Sequence, residues 1–185
     1  DPADLRARPR KALAGSGQRN IIANYERLIC ALPESPILIG HSLGGHNSLY
    51  TAVFEPRISV IVSSCGFDSY LDYYGGKPAV WAPEKGWCQE RYMPRLLNYA
   101  GRLADIPYDF HEILGALAPR PVFVNAPLRD SNFQWQSVDR CLAAAREVYT
   151  LHNASARLTV AHAAARRRDG VGLVGPARGQ HAVPD

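Results

Sequence analysis

A serine hydroxyl becomes a nucleophile only where the backbone exposes it and a base can take its proton. Ser42 has the surroundings for the first condition. It sits in Gly40-His41-Ser42-Leu43-Gly44-Gly45, directly after the apolar run Pro36-Ile37-Leu38-Ile39. A helix-compatible stretch follows over residues 45–54, with Leu49, Ala52 and Val53 on one side. Strand, tight glycine-flanked turn and helix in that order predict a sharp, strained reversal that lifts Oγ above the sheet edge. The chemistry this permits is acyl transfer through an ester on Ser42. Gly40 and Gly44 are expected to be glycines because a Cβ at either place would collide across the turn. A turn that only redirects the chain would carry the same letters.

The second condition calls for a histidine aimed by a carboxylate. Asp130 lies in Pro127-Leu128-Arg129-Asp130-Ser131-Asn132, a turn-like loop just past the apolar strand expected over 121–125. A plain turn aspartate, paired with Arg129 or capping the next helix, would look the same. Asp139 is the other acidic candidate, on the surface of the helix expected over 134–149. Among the histidines, His162 closes the last expected strand and His181 lies in a tail without pattern. His152 ends a helix, where the dipole favours a cation. His111 precedes Asp130 in the chain, and His41 and His46 flank the turn. Cys30, Cys65, Cys88 and Cys141 offer no pair at metal-ligand spacing, so no metal site is expected.

These residues need a frame. Ile21, Ile22, Tyr25, Leu28, Ile29 and Leu32 follow helical spacing over 20–32, with Asn20 to cap and Pro33 to stop. Residues 36–40, 58–64, 121–125 and 157–161 read as strands, the second almost continuously apolar and β-branched. Trp135, Val138, Leu142, Ala145 and Val148 form the inward stripe of the helix over 134–149. Residues 67–110 have no such rhythm but are dense in Tyr, Trp and Phe; they either fill a core or line a sugar or aryl-ester platform. Strands alternating with helices predict a parallel sheet, hence an α/β class, with chemistry at the carboxyl ends of the strands. Ser42 and Asp130 both fall at such ends.

Bulk composition narrows the rest. The 185 residues allow one domain, and 46% hydrophobic with 21% charged residues is globular composition. The net charge of +4 collects in Arg6, Arg8, Arg10 and Lys11 and in Arg166, Arg167 and Arg168. Two terminal tufts read as solvated tails, not as a nucleic-acid surface. No run approaches the ~20 apolar residues of a membrane span, and no secretory signal is visible in the first residues. The compartment stays open.

Over residues 35–162 the chain resembles the α/β-hydrolase superfamily, in particular bacterial proteins related to acetyl xylan esterases and dienelactone hydrolases. The segments that carry the resemblance are Gly-His-Ser-Leu-Gly-Gly-His-Asn at 40–47, Ser-Ser-Cys-Gly-Phe at 63–67, Asp-Tyr-Tyr-Gly-Gly at 72–76 and Ala-Pro-Arg-Pro-Val-Phe-Val-Asn-Ala-Pro-Leu-Arg-Asp-Ser-Asn-Phe at 118–133. It implies a serine esterase with chain order Ser, Asp, His: nucleophile Ser42, acid Asp130, an oxyanion donor in the Leu43 N–H, and no metal or organic cofactor. His41 and His46 match the resemblance as non-catalytic residues. It also implies a base in a Gly-His-Asp-Phe-like loop several residues past the last strand. That place holds Arg166-Arg167-Arg168-Asp169, which leaves His162 as the candidate base. The loop after the third strand, which normally supplies a second oxyanion donor, has no counterpart before Ser42; one missing donor costs roughly 10²- to 10³-fold in rate.

The expected organisation is therefore a partial α/β-hydrolase domain over 1–162, with a cap-like insertion at 67–110 and without the N-terminal strands and native C-terminal end. Residues 163–185, rich in Ala, Arg, Gly, Val and Pro, are expected to be a disordered tail or the product of a frame change near codon 162. The expected function is carboxylic-ester hydrolysis through an acyl-enzyme on Ser42, acting on a small-molecule or carbohydrate ester, the acetyl or carbohydrate type favoured. The alternatives are an impaired or non-catalytic fragment lacking the triad histidine, and a peptidase or acyltransferase on the same fold. If the neighbouring strand is missing, residues 36–40 form an unpaired apolar edge and a route to self-association.

Overall fold

The computed structural model describes residues 35–163. The helix expected over 20–32, the segment before it and the tail from 164 onward lie outside the described residues. Four apolar runs become strands: β1 (Ile37–His41), β2 (Val60–Ser64), β3 (Val122–Asn125) and β4 (Leu158–Ala161). Each lies within a residue or two of its expected place. They form one parallel sheet in the order β1-β2-β3-β4. Three α-helices connect them: α1 (Leu43–Phe54), α2 (Phe110–Ala116) and α3 (Trp135–Leu151).

Local chemistry sets the helix ends. α1 stops where Glu55 precedes Pro56, and Glu55 takes the extended backbone that a residue before proline prefers. The Arg120 guanidinium then donates to the carbonyls of Ala52, Glu55 and Ile58 at 2.7, 3.2 and 3.1 Å, meeting acceptors of the helix end and of the turn that follows it. α2 begins in a capping box. The Asp109 side chain accepts from the Phe110 N–H at 2.6 Å, and the Glu112 side chain accepts from the Asp109 N–H at 2.9 Å. At the end of α3, Asn153 turns left-handed (φ 54°), and the N–H groups of Asn153 and Ala154 bond back to Thr150 and Tyr149.

The strand order never reverses, and connections between parallel neighbours are right-handed, so all three helices lie on the same face of the sheet. α1 packs on β1 and β2, α3 on β4, and α2 between α1 and α3. Ile61, Val122, Val124 and Leu158 point into that layer and are buried. The opposite face is apolar yet open among the described residues: Ile37, Ile39 and Phe123 are 60, 71 and 38% exposed. β1 is an edge strand of the described sheet.

Residues 67–110 run through short 3₁₀ turns, and their aromatic side chains make the second half of the core. Phe67, Tyr70, Trp81 and Tyr108 are buried, and Phe67 stacks on Phe110 at 4.7 Å. The hydroxyls of Tyr70 and Tyr108 both bond to that of Tyr50 on α1, at 2.5 and 3.2 Å. Burying rings of this size contributes roughly 1.5–3 kcal/mol each, so the long excursion is tied to α1 by its own packing.

Candidate active site

β1 ends at His41, and the chain must reverse at once to start α1 at Leu43. Ser42 makes the reversal with φ 52° and ψ −122°, exposed to solvent at the carboxyl end of the strand. Such a backbone costs a non-glycine residue on the order of 1–3 kcal/mol and needs restraint from its surroundings. Two backbone bonds hold it: the Ser42 N–H donates to the Ser64 carbonyl at 2.8 Å, and the Ser42 carbonyl accepts from the His46 N–H at 3.1 Å. Leu43 opens α1, so its N–H belongs to the first turn, whose amides have no partner inside the helix.

The glycines do this differently from the expectation. A Cβ on Gly40 would lie 2.0 Å from the Gly44 carbonyl oxygen and 2.6 Å from the Gly45 nitrogen, so glycine is obligatory there. Gly44 is corrected: a Cβ at that position would meet nothing within 4 Å, because it points away from the turn. The second tight position is Gly45, whose Cβ would be 2.9 Å from the Ser64 carbonyl oxygen. The third is Gly66, whose Cβ would be 2.7 Å from the Gly45 carbonyl carbon. The turn is thus wedged against the end of β2, a contact between segments that spacing along the chain cannot reveal.

Asp130 and His162 follow β3 and β4, at the same end of the sheet as Ser42. Asp130 lines a small cavity with Cys65, Asn125, Ala126 and Phe133. Its Oδ1 accepts from the N–H groups of Asn132 and Phe133 at 2.8 and 3.3 Å, which folds its own loop. Burial pushes the neighbouring Cys65 thiol up, and the Asp130 carboxylate adds to the rise. His162 is brought to other partners. Its Nδ1 lies 2.9 Å from the Ala126 carbonyl and its Nε2 3.1 Å from Asp139 Oδ1, with the ring edge-on to Trp135 at 5.2 Å. Both ring nitrogens face acceptors, so neither is turned toward Ser42 as a proton acceptor. Asp139, on α3, is the carboxylate that meets His162; Asp130 does not. Among the described residues, no group of three or more His, Cys, Asp or Glu side chains is arranged to hold a metal ion, and no helix is long and apolar enough to cross a membrane.

A sequence profile described as "Glucuronyl esterase, fungi" matches residues 34–152. The chain belongs to the glucuronyl esterase family. The likeness to acetyl xylan esterases drawn from the motifs stays at the coarser level, that of an α/β-hydrolase-like carbohydrate esterase. The chain is 27% identical over 143 residues to a 4-O-methyl-glucuronoyl methylesterase 1 of Wolfiporia cocos (strain MD-104), an alignment of 66% of this chain and 34% of that protein. Its fold is that of the carbohydrate esterase family 15 glucuronoyl esterase of Caldicellulosiruptor kristjansonii: TM-score 0.55, 19% identity, 69% of this chain and 38% of that one. The glucuronoyl esterase catalytic domain of Hypocrea jecorina gives TM-score 0.54 at 17% identity, over 68% of this chain and 37% of that one. The chain thus carries the α/β-hydrolase fold and spans a little over a third of the length of these proteins.

The burial of two ionisable groups in this glucuronyl esterase family member, His46 and Asp68, was not legible in the sequence. His46, one turn into α1, is fully buried. It stacks on Trp87 at 4.2 Å and packs against Tyr50 at 4.6 Å. Neither ring nitrogen has a well-aligned partner. Burial pushes its pKa from 6.5 down to about 3, the Gly66 backbone compensating only in part. Asp68 is 2% exposed. Its Oδ2 accepts from the Gln134 N–H at 3.1 Å ahead of α3, while Oδ1 is buried without a partner. Burial, then the charges of Asp72, Asp109 and Asp130, raise it from 3.8 to about 7 against the Gln134 bond.

Proposed function

We propose that the chain carries the acyl-accepting part of a carbohydrate-ester hydrolase, with Ser42 as nucleophile and an ester of a glucuronic acid as substrate class. The observation that carries the reading is the solvent-exposed, strained Ser42 at the carboxyl end of a parallel strand, wedged by Gly40 and Gly45. Membership of the glucuronyl esterase family and the 4-O-methyl-glucuronoyl methylesterase relative support the substrate class. In this reading Ser42 Oγ attacks the ester carbonyl carbon as its proton passes to a base. The developing oxyanion takes a hydrogen bond from the Leu43 N–H. Collapse expels the alcohol with a proton, and water then hydrolyses the acyl ester and restores the hydroxyl. Asp130 is the carboxylate assigned to orient the base, and His162 is the base at hand. It serves only after leaving Asp139 and the Ala126 carbonyl.

That arrangement of His162 favours a second reading, a member of the fold with impaired turnover. A fluorophosphonate probe separates the two. Labelling of the wild type that disappears in Ser42→Ala supports the activated nucleophile; no labelling of folded protein supports the impaired chain. Peptidase or acyltransferase chemistry would label equally, and hydrolysis of methyl glucuronate esters without cleavage of peptides removes that alternative. The exposed Ile37 and Ile39 on an edge strand support association between copies of the chain. A sharp monomeric peak in size-exclusion chromatography would refute it.

A further inference from the structure

Across β1, β2 and β3 the last rung of the sheet is polar and its side chains are bonded to one another, with Ala161 of β4 next in register. His41, Ser64 and Asn125 are in register across β1, β2 and β3. They project from the face that the helices leave open, above the apolar row of Ile39, Val62 and Phe123, also in register. Asn125 Nδ2 donates to Ser64 Oγ at 2.9 Å, and Ser64 Oγ lies 3.1 Å from His41 Nδ1. The amide nitrogen can only donate, so Ser64 accepts there and has one proton to give. Its choices are the His41 ring nitrogen and the Cys65 sulfur, 3.7 Å away. The hydroxyl donates to Nδ1 in one His41 tautomer and accepts from it in the other; in both, the contact joins β1 to β2. In both, His41 Nδ1 is engaged with Ser64 and the ring is a member of the rung.

The rung stands beside two residues of strained backbone. The residues immediately after His41 and Ser64 are Ser42 and Cys65, with φ of 52° and 50°. Each is tied back to the rung by its N–H, Ser42 to the Ser64 carbonyl at 2.8 Å and Cys65 to the Asn125 carbonyl at 2.9 Å. Strained residues persist only where the surroundings over-determine them. We propose that His41, Ser64 and Asn125 are positioning residues: their side-chain ladder clamps the ends of β1, β2 and β3 together and so holds Ser42 in its exposed, strained turn. The proposal deepens the reading of Ser42 as acyl acceptor and rests on it for its consequence in rate.

The test uses the whole chain with Ser64→Ala, which removes the hub of the ladder, and Ser64→Thr, which keeps a hydroxyl in place. One readout is the second-order rate of fluorophosphonate labelling. The other is the ¹³Cβ chemical shift of Ser42, assigned by its loss in Ser42→Ala, which reports backbone conformation without requiring activity. The expected result for Ser64→Ala is labelling slowed about tenfold or more, as release of one strained residue predicts, with the Ser42 shift moved toward ordinary serine values. Ser64→Thr is expected to restore both. A folded Ser64→Ala that keeps the wild-type rate and shift overturns the proposal. If the wild type does not label, the hydrolase reading fails and the Ser42 shift alone decides the clamp. If Ser64→Ala does not fold, Asn125→Ala removes one of the two bonds and is judged by the same readouts.

Discussion

His46 and Asp68 titrate in opposite senses, and their balance yields a measurable stability profile. An unfolded chain takes a proton on His46 below pH 6.5, whereas the folded chain refuses it until about pH 3. The folded state therefore loses about 1.4 kcal/mol per pH unit as pH falls through that window. Asp68 behaves the other way. The folded chain keeps its proton up to about pH 7, the unfolded one only to 3.8. Its contribution is complete below pH 3.8 and disappears at about 1.4 kcal/mol per unit as pH rises toward 7. Between pH 3.8 and 6.5 the two slopes oppose, and the pair leaves the wild type nearly flat. Asp68→Asn fixes the neutral form and keeps an acceptor for the Gln134 N–H. Its advantage over wild type should grow from near zero at pH 4 to about 4 kcal/mol at pH 7. His46→Phe, which keeps a ring against Trp87, should gain about 3 kcal/mol on wild type between pH 6.5 and 4. Urea unfolding followed by tryptophan fluorescence from pH 4 to 7.5 gives both differences. An Asp68→Asn curve running parallel to wild type within about 0.5 kcal/mol, smaller than the ~1.4 expected for each unit, would refute the claim that the fold holds this acid protonated.

Other substitutions probe the turn and its supports. Gly40→Ala should cost more than about 4 kcal/mol or prevent folding, since its Cβ would overlap the Gly44 carbonyl. Gly44→Ala should instead raise stability by about 0.5–1 kcal/mol, as a helix position with open space allows; thermal melts compare the two. Ser42→Gly relieves a positive φ and should add about 1 kcal/mol in denaturant titration while abolishing fluorophosphonate labelling. Arg120→Met leaves the Ala52, Glu55 and Ile58 carbonyls without their charged donor and should cost about 2–3 kcal/mol in the same titration.

Sequence carried the frame and the turn but not the contacts between them. The strands were legible because runs such as Val60-Ile61-Val62 are β-branched and apolar, and the turn because a serine flanked by glycines follows one of them. The helix α2 was missed although its signal was present: Asp109 followed three residues later by Glu112 is a capping-box spacing. Gly44 and Gly45 cannot be told apart by letter, since which one is wedged depends on where the end of β2 lies. Asp68 and His46 became unusual only through burial, and a lone Asp or His gives no warning of that. The pairing of His162 with Asp139 joins β4 to α3 and required the assembled layers.

The sheet's order, β1 to β4 without a reversal, governs how the chain can be put together. Each new strand is laid beside its predecessor, so within the described span none must slip between two that are already joined. Each strand in turn therefore finds its partner's edge open, and no insertion step is needed to complete the layer. Among the described strands, the serine turn and its backing at β2 come first in the chain, and β4, which leads into His162, comes last.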